Sequence, residues 1–248
     1  MDELMRETEM YILLDILLIA IILFCGWQGY KRGILGGIFA IVFILVAVWG
    51  ANLISTTYSD TFTDMFRPFA SGYLDRMEIE AIEEIVPEDQ QHLSTEDLLR
   101  LDDTLEPQLA RQVFLELGID ESRTEKLSDR YFDYRDQHYY NTVNHAFTNV
   151  FVYAFSFLLV FVISFLLLLI GFTVIYNIIP FTFRLPGLKL VEGIGGSVLG
   201  IGQGFLLVFM LTWLLGYIGL ILPEGFLERS GVIPFFVRNT PMVGFIDL

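Results

Sequence analysis

Asp15 interrupts an otherwise apolar run at 10–27, and an ionisable group inside such a run is costly enough to be a functional candidate by default. It lies about five residues, roughly 8 Å along a helix, from the start of that run. There a carboxylate can anchor the helix near the headgroups, hydrogen-bond within a bundle when protonated, or bind a proton or cation in a wet cavity. No second acid and no histidine lies within the apolar runs to form a relay with it; Asn52, Asn177 and Gln203 are the remaining strongly polar residues there. His92, His138 and His145 fall in a polar segment, and none makes an HExxH or His-x3-His pair that could hold a metal. Cys25 is the single cysteine, so neither an intrachain disulfide nor a CxxC pair is available. No GxSxG, GxxxxGK[ST] or DxDxDG pattern occurs. Neither an enzyme nor a bound cofactor or metal is expected.

The elements that carry these residues are set by a sharp separation of charge from hydrophobicity. In 248 residues, 54% are hydrophobic, with mean hydropathy +0.58, yet 30 are acidic against 15 Lys or Arg, a net of −15. Segment 55–145 holds 21 of the acids and 8 of the bases. The acidity argues against a nucleic-acid partner, since phosphate binding needs concentrated Lys and Arg. Four runs, 10–27, 34–53, 150–179 and 194–222, are about 20 residues or longer, the length that spans a hydrocarbon core of roughly 30 Å. The expected fold is an all-α integral membrane protein: four transmembrane helices in two hairpins plus a small, acidic, mostly helical extramembrane region. The corresponding parts are an N-terminal tail at 1–9, a first hairpin at 10–54, the acidic region at 55–145, a second hairpin at 146–222 and a C-terminal tail at 223–248. A bulky Phe24 before Cys25 and the absence of a small-x-small site argue against a cleaved signal peptide.

Lys31 and Arg32 in the first short turn, and Arg184 and Lys189 in the second, assign those turns to the cytoplasm by the positive-inside rule. Both termini and 55–145 are then expected outside it. Within the acidic region, Leu105, Leu109, Val113 and Leu117 recur at helical spacing, as do Ile82, Ile85 and Val86. Ser94 with Asp97 forms a capping-box pattern, and Gly118-Ile119 reads as a helix end. A further helix from about 121 is expected to carry Tyr131, Phe132, Tyr134, Tyr139 and Tyr140 toward the third span as an aromatic belt at the membrane surface.

Glycine supplies the strongest pattern. Gly29, Gly33 and Gly37 repeat every fourth residue at the entry to the second run, and Gly196, Gly200 and Gly204 do so in the last. That spacing keeps them on one helix face, a zipper along which another backbone can come close. Packing within the chain, a homo-oligomer seam and a pore lining would all use such a face.

Leu14-Asp15-Ile16, GYKRG at 29–33, GIGGSVLGIGQG at 193–204 and SGVIP at 230–234, in this order and spacing, resemble the colicin V production protein (CvpA) family. The resemblance implies a multi-pass protein of the bacterial cytoplasmic (inner) membrane, tied to production or export of a peptide toxin and to envelope integrity, without established catalysis. Its partners would be the lipid bilayer and a second copy or other membrane and envelope proteins. The acidic segment is far longer than the family's usual connection, and Gln203 stands where members often have Arg. A small channel or transporter built on the glycine-lined helices, with Asp15 near its mouth, is the alternative reading.

Overall fold

The computed structural model describes residues 2–102, 104–119, 121–138, 142–178, 189–215, 232–239 and 241. They form seven helices and, among the described residues, no strand: α1 Asp2–Ile85, α2 Thr95–Leu101, α3 Leu105–Glu116, α4 Glu121–Gln137, α5 Val143–Ile178, α6 Lys189–Leu215 and α7 Ile233–Arg238. Three of them, α1, α5 and α6, are long and apolar enough to cross a membrane. Their most apolar windows are only 33%, 28% and 28% buried within the protein. Large side chains such as Leu13, Trp49, Leu167 and Ile178 point outward. A surface of this kind finds its favourable solvent in lipid rather than water. This is an all-helical membrane protein.

The chain divides into two compact units. One comprises Met1–Ile54, Phe161–Leu214 and Glu224–Asp247, and the other centres on Ser55–Val160.

In the first unit, α1 leaves helical geometry at one residue, Gly33, with φ 77° and ψ −179°. An L side chain is strained at that positive φ, so glycine alone breaks the helix there without penalty. The break is tighter than the six-residue turn expected at 28–33: Lys31 and Arg32 are still helical, and Gly33 alone departs. After Gly33 no further residue of α1 leaves helical geometry up to Ile85, so no helix break falls at 54. Pro68 falls within this helix. Farther on in the same unit, Phe161 packs beside Trp213, and Phe209 meets Phe236 of α7 edge-on at 4.9 Å.

The second unit packs its short helices around a small aromatic core. Ser94 caps α2 by accepting a hydrogen bond from the Asp97 amide at 3.2 Å. The end of α3 is a Schellman turn: Gly118, at φ 71°, donates to Leu115 and Ile119 donates to Phe114. The α3 stripe buries Leu109, Ala110, Val113 and Phe114. Tyr131 of α4 is fully buried, stacked on Phe147 at 4.4 Å, and Phe114 meets Phe147 edge-on at 5.8 Å. Each such pair contributes about 1 kcal/mol beyond its buried area.

This corrects the expected aromatic belt. Tyr131 is a core residue of the second unit, and α4 stops at Gln137 rather than running on toward the third span. Tyr139 and Tyr140 lie outside the described residues, as do 180–188 of the second turn expected at 180–193 and the end of the fourth run, 216–222; the rest of that turn, 189–193, is already helical as the start of α6.

Candidate functional site: a glycine seam and a polar cluster

The glycines of α1 and α6 come together. A Cβ on Gly29 would strike the Gly196 carbonyl oxygen and lie 2.8 Å from Gly200 Cα. One on Gly200 would strike the Cys25 carbonyl, and one on Gly196 would lie 2.8 Å from Gly33 Cα. These are backbone-to-backbone contacts that no flexible side chain can relieve. A Cβ on Gly204 would lie 2.7 Å from Ile22 Cα, whereas one on Gly37 would meet a side chain, Leu199 Cβ, at 2.6 Å. Gly26, which the four-residue pattern leaves out, sits on the same seam against Ile201 Cγ1 at 2.9 Å.

The order of the contacts carries further information. Before Gly33, lower numbers in α1 meet higher numbers in α6: Gly29 with Gly196, Cys25 with Gly200, Ile22 with Gly204. After it, both numbers rise together, from Ile34 with Gly195 through Gly37 with Leu199 to Ile41 with Gly202.

Asp15 is partly buried on α1 and makes an interaction within the chain. Among the orientation residues, the Lys31 ammonium lies 3.6 Å over the Trp27 ring, and the Arg32 guanidinium is 5.9 Å from the Tyr176 ring centre. Both cations thus rest on aromatic faces, at about 0.5–1 kcal/mol each where exposed. Arg184 and the side chain of Lys189 lie outside the described residues, as do Ser230 and Gly231.

The second unit holds a polar cluster that sequence patterns do not mark. Arg67 of α1 donates from Nη2 to Asn149 Oδ1 at 2.5 Å and pairs with Asp64 at 3.2 Å. Asn149 is 6% exposed and donates from Nδ2 to the Tyr134 hydroxyl at 2.8 Å, with His145 Nδ1 at 2.9 Å. Burial, then the nearby Arg67 and His138, hold the His145 imidazolium below the usual histidine range. Deeper in the unit, the Glu78 carboxylate accepts from Thr95 at 2.5 Å and from Asn144 at 3.2 Å. Burial raises its pKa despite those bonds. Tyr131 donates to Glu106 at 2.8 Å, Arg135 reaches the same oxygen at 3.1 Å, and burial raises the Tyr131 pKa well above its ordinary value. No group of three or more His, Cys, Asp and Glu side chains is placed to hold a metal among the described residues.

Together, three helices long and apolar enough to cross a membrane and their outward apolar side chains define a membrane protein. The family model for the colicin V production protein matches residues 14–80 and 137–241, more than half of the chain, and the chain belongs to that family. Comparison with curated proteins and with solved structures returned no match. The interval between the two matched stretches contains α2, α3 and nearly all of α4. These elements supply Phe114, Leu127 and Tyr131 to the core of the second unit.

Proposed function

We propose that this colicin V production family member is a non-enzymatic, four-span protein of the bacterial cytoplasmic membrane, accessory to the production or export of a colicin V-like toxin and to envelope homeostasis. The family match carries this reading. Four spans are supported by the contact order along α6: a chain that runs antiparallel to one helix before Gly33 and parallel to it afterwards reverses direction at Gly33. α1 then contributes two spans in a hairpin, and α5 and α6 contribute the second pair. The basic residues Lys31 and Arg32 at the reversal favour its placement in the cytoplasm, with both termini and 55–145 on the other side. The close backbone approach at Gly29, Gly196 and Gly200 supports glycine packing within one chain, leaving outward apolar faces for lipid and for envelope proteins or a second copy.

The test is toxin output from a toxin-secreting host that lacks its own family member. Complementation with this chain should restore extracellular toxin severalfold without changing the amount synthesised. Equal extracellular toxin with and without the chain would contradict the accessory role. The second reading, a small channel or transporter, is favoured by one observation: Asp15 is partly buried within an apolar run.

A further inference from the structure

A cleft of about 450 Å³ opens in the second unit, lined by residues of α1, α4 and α5. The N–H groups of Asn149 and the hydroxyl of Thr63 on its buried wall are spent within the protein, on Tyr134, His145 and Ser59, so the donors left for a ligand are guanidiniums. Asn149 and Thr63 are 6% and 7% exposed, and the Arg67 guanidinium reaches in between Asn149 and Asp64, with its Nε buried and taking no hydrogen bond. A second guanidinium, Arg130, is held 5.1 Å from the Tyr153 ring centre on the same cleft. The exposed rim has the opposite sign, with Asp60, Asp64 and Asp133. Val150 and Tyr153 add an apolar side, and they stand at the head of a stretch, 146–183, without any charged residue.

We propose that this cleft binds a phosphoethanolamine group. The two guanidiniums that line the cleft match a phosphodiester, which accepts strong charge-assisted bonds and fits arginine's planar fork. Three carboxylates on the rim match a primary ammonium and repel a ligand whose net charge is negative. A metal is a poorer occupant, because the rim carboxylates and His138 do not converge as ligands. The volume lies within the range of small-molecule sites. The uncharged start of α5, with Val150 and Tyr153 on the cleft, is apolar enough to accompany the acyl chains of phosphatidylethanolamine. A soluble phosphoethanolamine ester carries the same headgroup chemistry.

The test uses the full-length protein in detergent, with lipid binding read by native mass spectrometry. Phosphatidylethanolamine, phosphatidylglycerol and phosphatidylcholine of identical acyl chains are the probes. Phosphatidylethanolamine should bind about tenfold more tightly than either of the others, a difference of about 1.4 kcal/mol. Arg67→Gln and Arg130→Gln should each weaken it about tenfold, since each deletes a charged donor to phosphate. Asp133→Asn removes one of the three carboxylates that face the ammonium, so it should weaken phosphatidylethanolamine binding severalfold and narrow its advantage over phosphatidylglycerol. That exposed rim variant also keeps the test decisive if Arg67→Gln fails to fold. Displacement by soluble phosphoethanolamine at concentrations matching the lipid would identify a free ester as the ligand, and resistance to it would identify the lipid; both sustain the headgroup chemistry. Equal affinity for the three lipids, or unchanged affinity in Arg130→Gln together with unchanged selectivity in Asp133→Asn, would overturn the proposal.

Discussion

At the scale of single residues, Asp15 separates the accessory reading from the channel reading. A carboxylate that anchors the first helix near the interface tolerates Asn, which retains shape and hydrogen bonding, and tolerates Leu less well. Asp15→Asn should therefore leave membrane accumulation and toxin output within about twofold of wild type, with Asp15→Leu lower. Proton or cation flux in proteoliposomes that vanishes in Asp15→Asn at equal protein level would favour the channel instead. Glu78 makes a different prediction. Its pKa is raised by burial, so between the unfolded value near 4.5 and the higher folded value the native state holds more protons than the unfolded one. Its contribution to stability therefore falls as pH rises through that window. His145 acts in the opposite sense, because its lowered pKa costs stability as pH falls below about 6.5. Thermal unfolding of the detergent-solubilised protein should show Glu78→Gln removing the loss on the alkaline side of the carboxylate window. A midpoint whose pH dependence is identical in Glu78→Gln and wild type would refute the assignment. Neither the Glu78 site nor the Arg67-Asn149 cluster was legible in the sequence, because α1, α4 and α5 bring together groups that are tens of residues apart and follow no local spacing.

At the scale of elements, the glycine seam predicts a steep asymmetry. Gly200→Leu would push α6 off the Cys25 carbonyl and Gly29 Cα, forfeiting dispersion contacts along the whole crossing. It should cut the accumulated, folded fraction by roughly fivefold or more, whereas Leu207→Ile, which conserves volume, should change it by less than about twofold. Fluorescence-detected gel filtration of both variants provides the measurement, and wild-type behaviour of Gly200→Leu would dismiss the close-contact account. Local signals foretold several elements well. The Ser94 cap, the Gly118 turn and the apolar stripe of α3 each rest on short-range physics, and each is present. The destination of Tyr131 was not readable, because a run of aromatics next to an apolar segment looks the same whether the rings face headgroups or a soluble core. What decides it is the stacking partner Phe147, sixteen residues along and across a helix break. The exact turn residue was likewise hidden among GYKRG, since both glycines suit a turn and only Gly33 takes the positive φ.

At the scale of the whole molecule, the family-matched helices and the unmatched interval have different physical characters. The matched part carries the apolar runs and the glycine seam, while the interval between residues 80 and 137 adds an acidic, self-capped set of helices whose apolar stripe is buried with Phe147. The charge segregation that first marks this chain as a membrane protein is thus also the division between its two kinds of packing. Apolar run length predicted four spanning helices, whereas the described residues show three of membrane length, α1 carrying the first two runs; the continuity of α1 past residue 54 was not readable, because Thr, Ser and Asp after the apolar run read equally well as a loop. The central claim, a four-span chain that reverses at Gly33 with its acidic unit outside the cytoplasm, is tested most directly by thiol accessibility. Single cysteines at positions 31 and 96, in a background with Cys25 replaced, are exposed to a membrane-impermeant reagent in spheroplasts with intact cytoplasmic membranes. The account predicts strong labelling of Glu96→Cys and protection of Lys31→Cys until the membrane is permeabilised. Labelling of Lys31→Cys with protection of Glu96→Cys would invert the orientation, and equal labelling of both before permeabilisation would contradict the reversal itself.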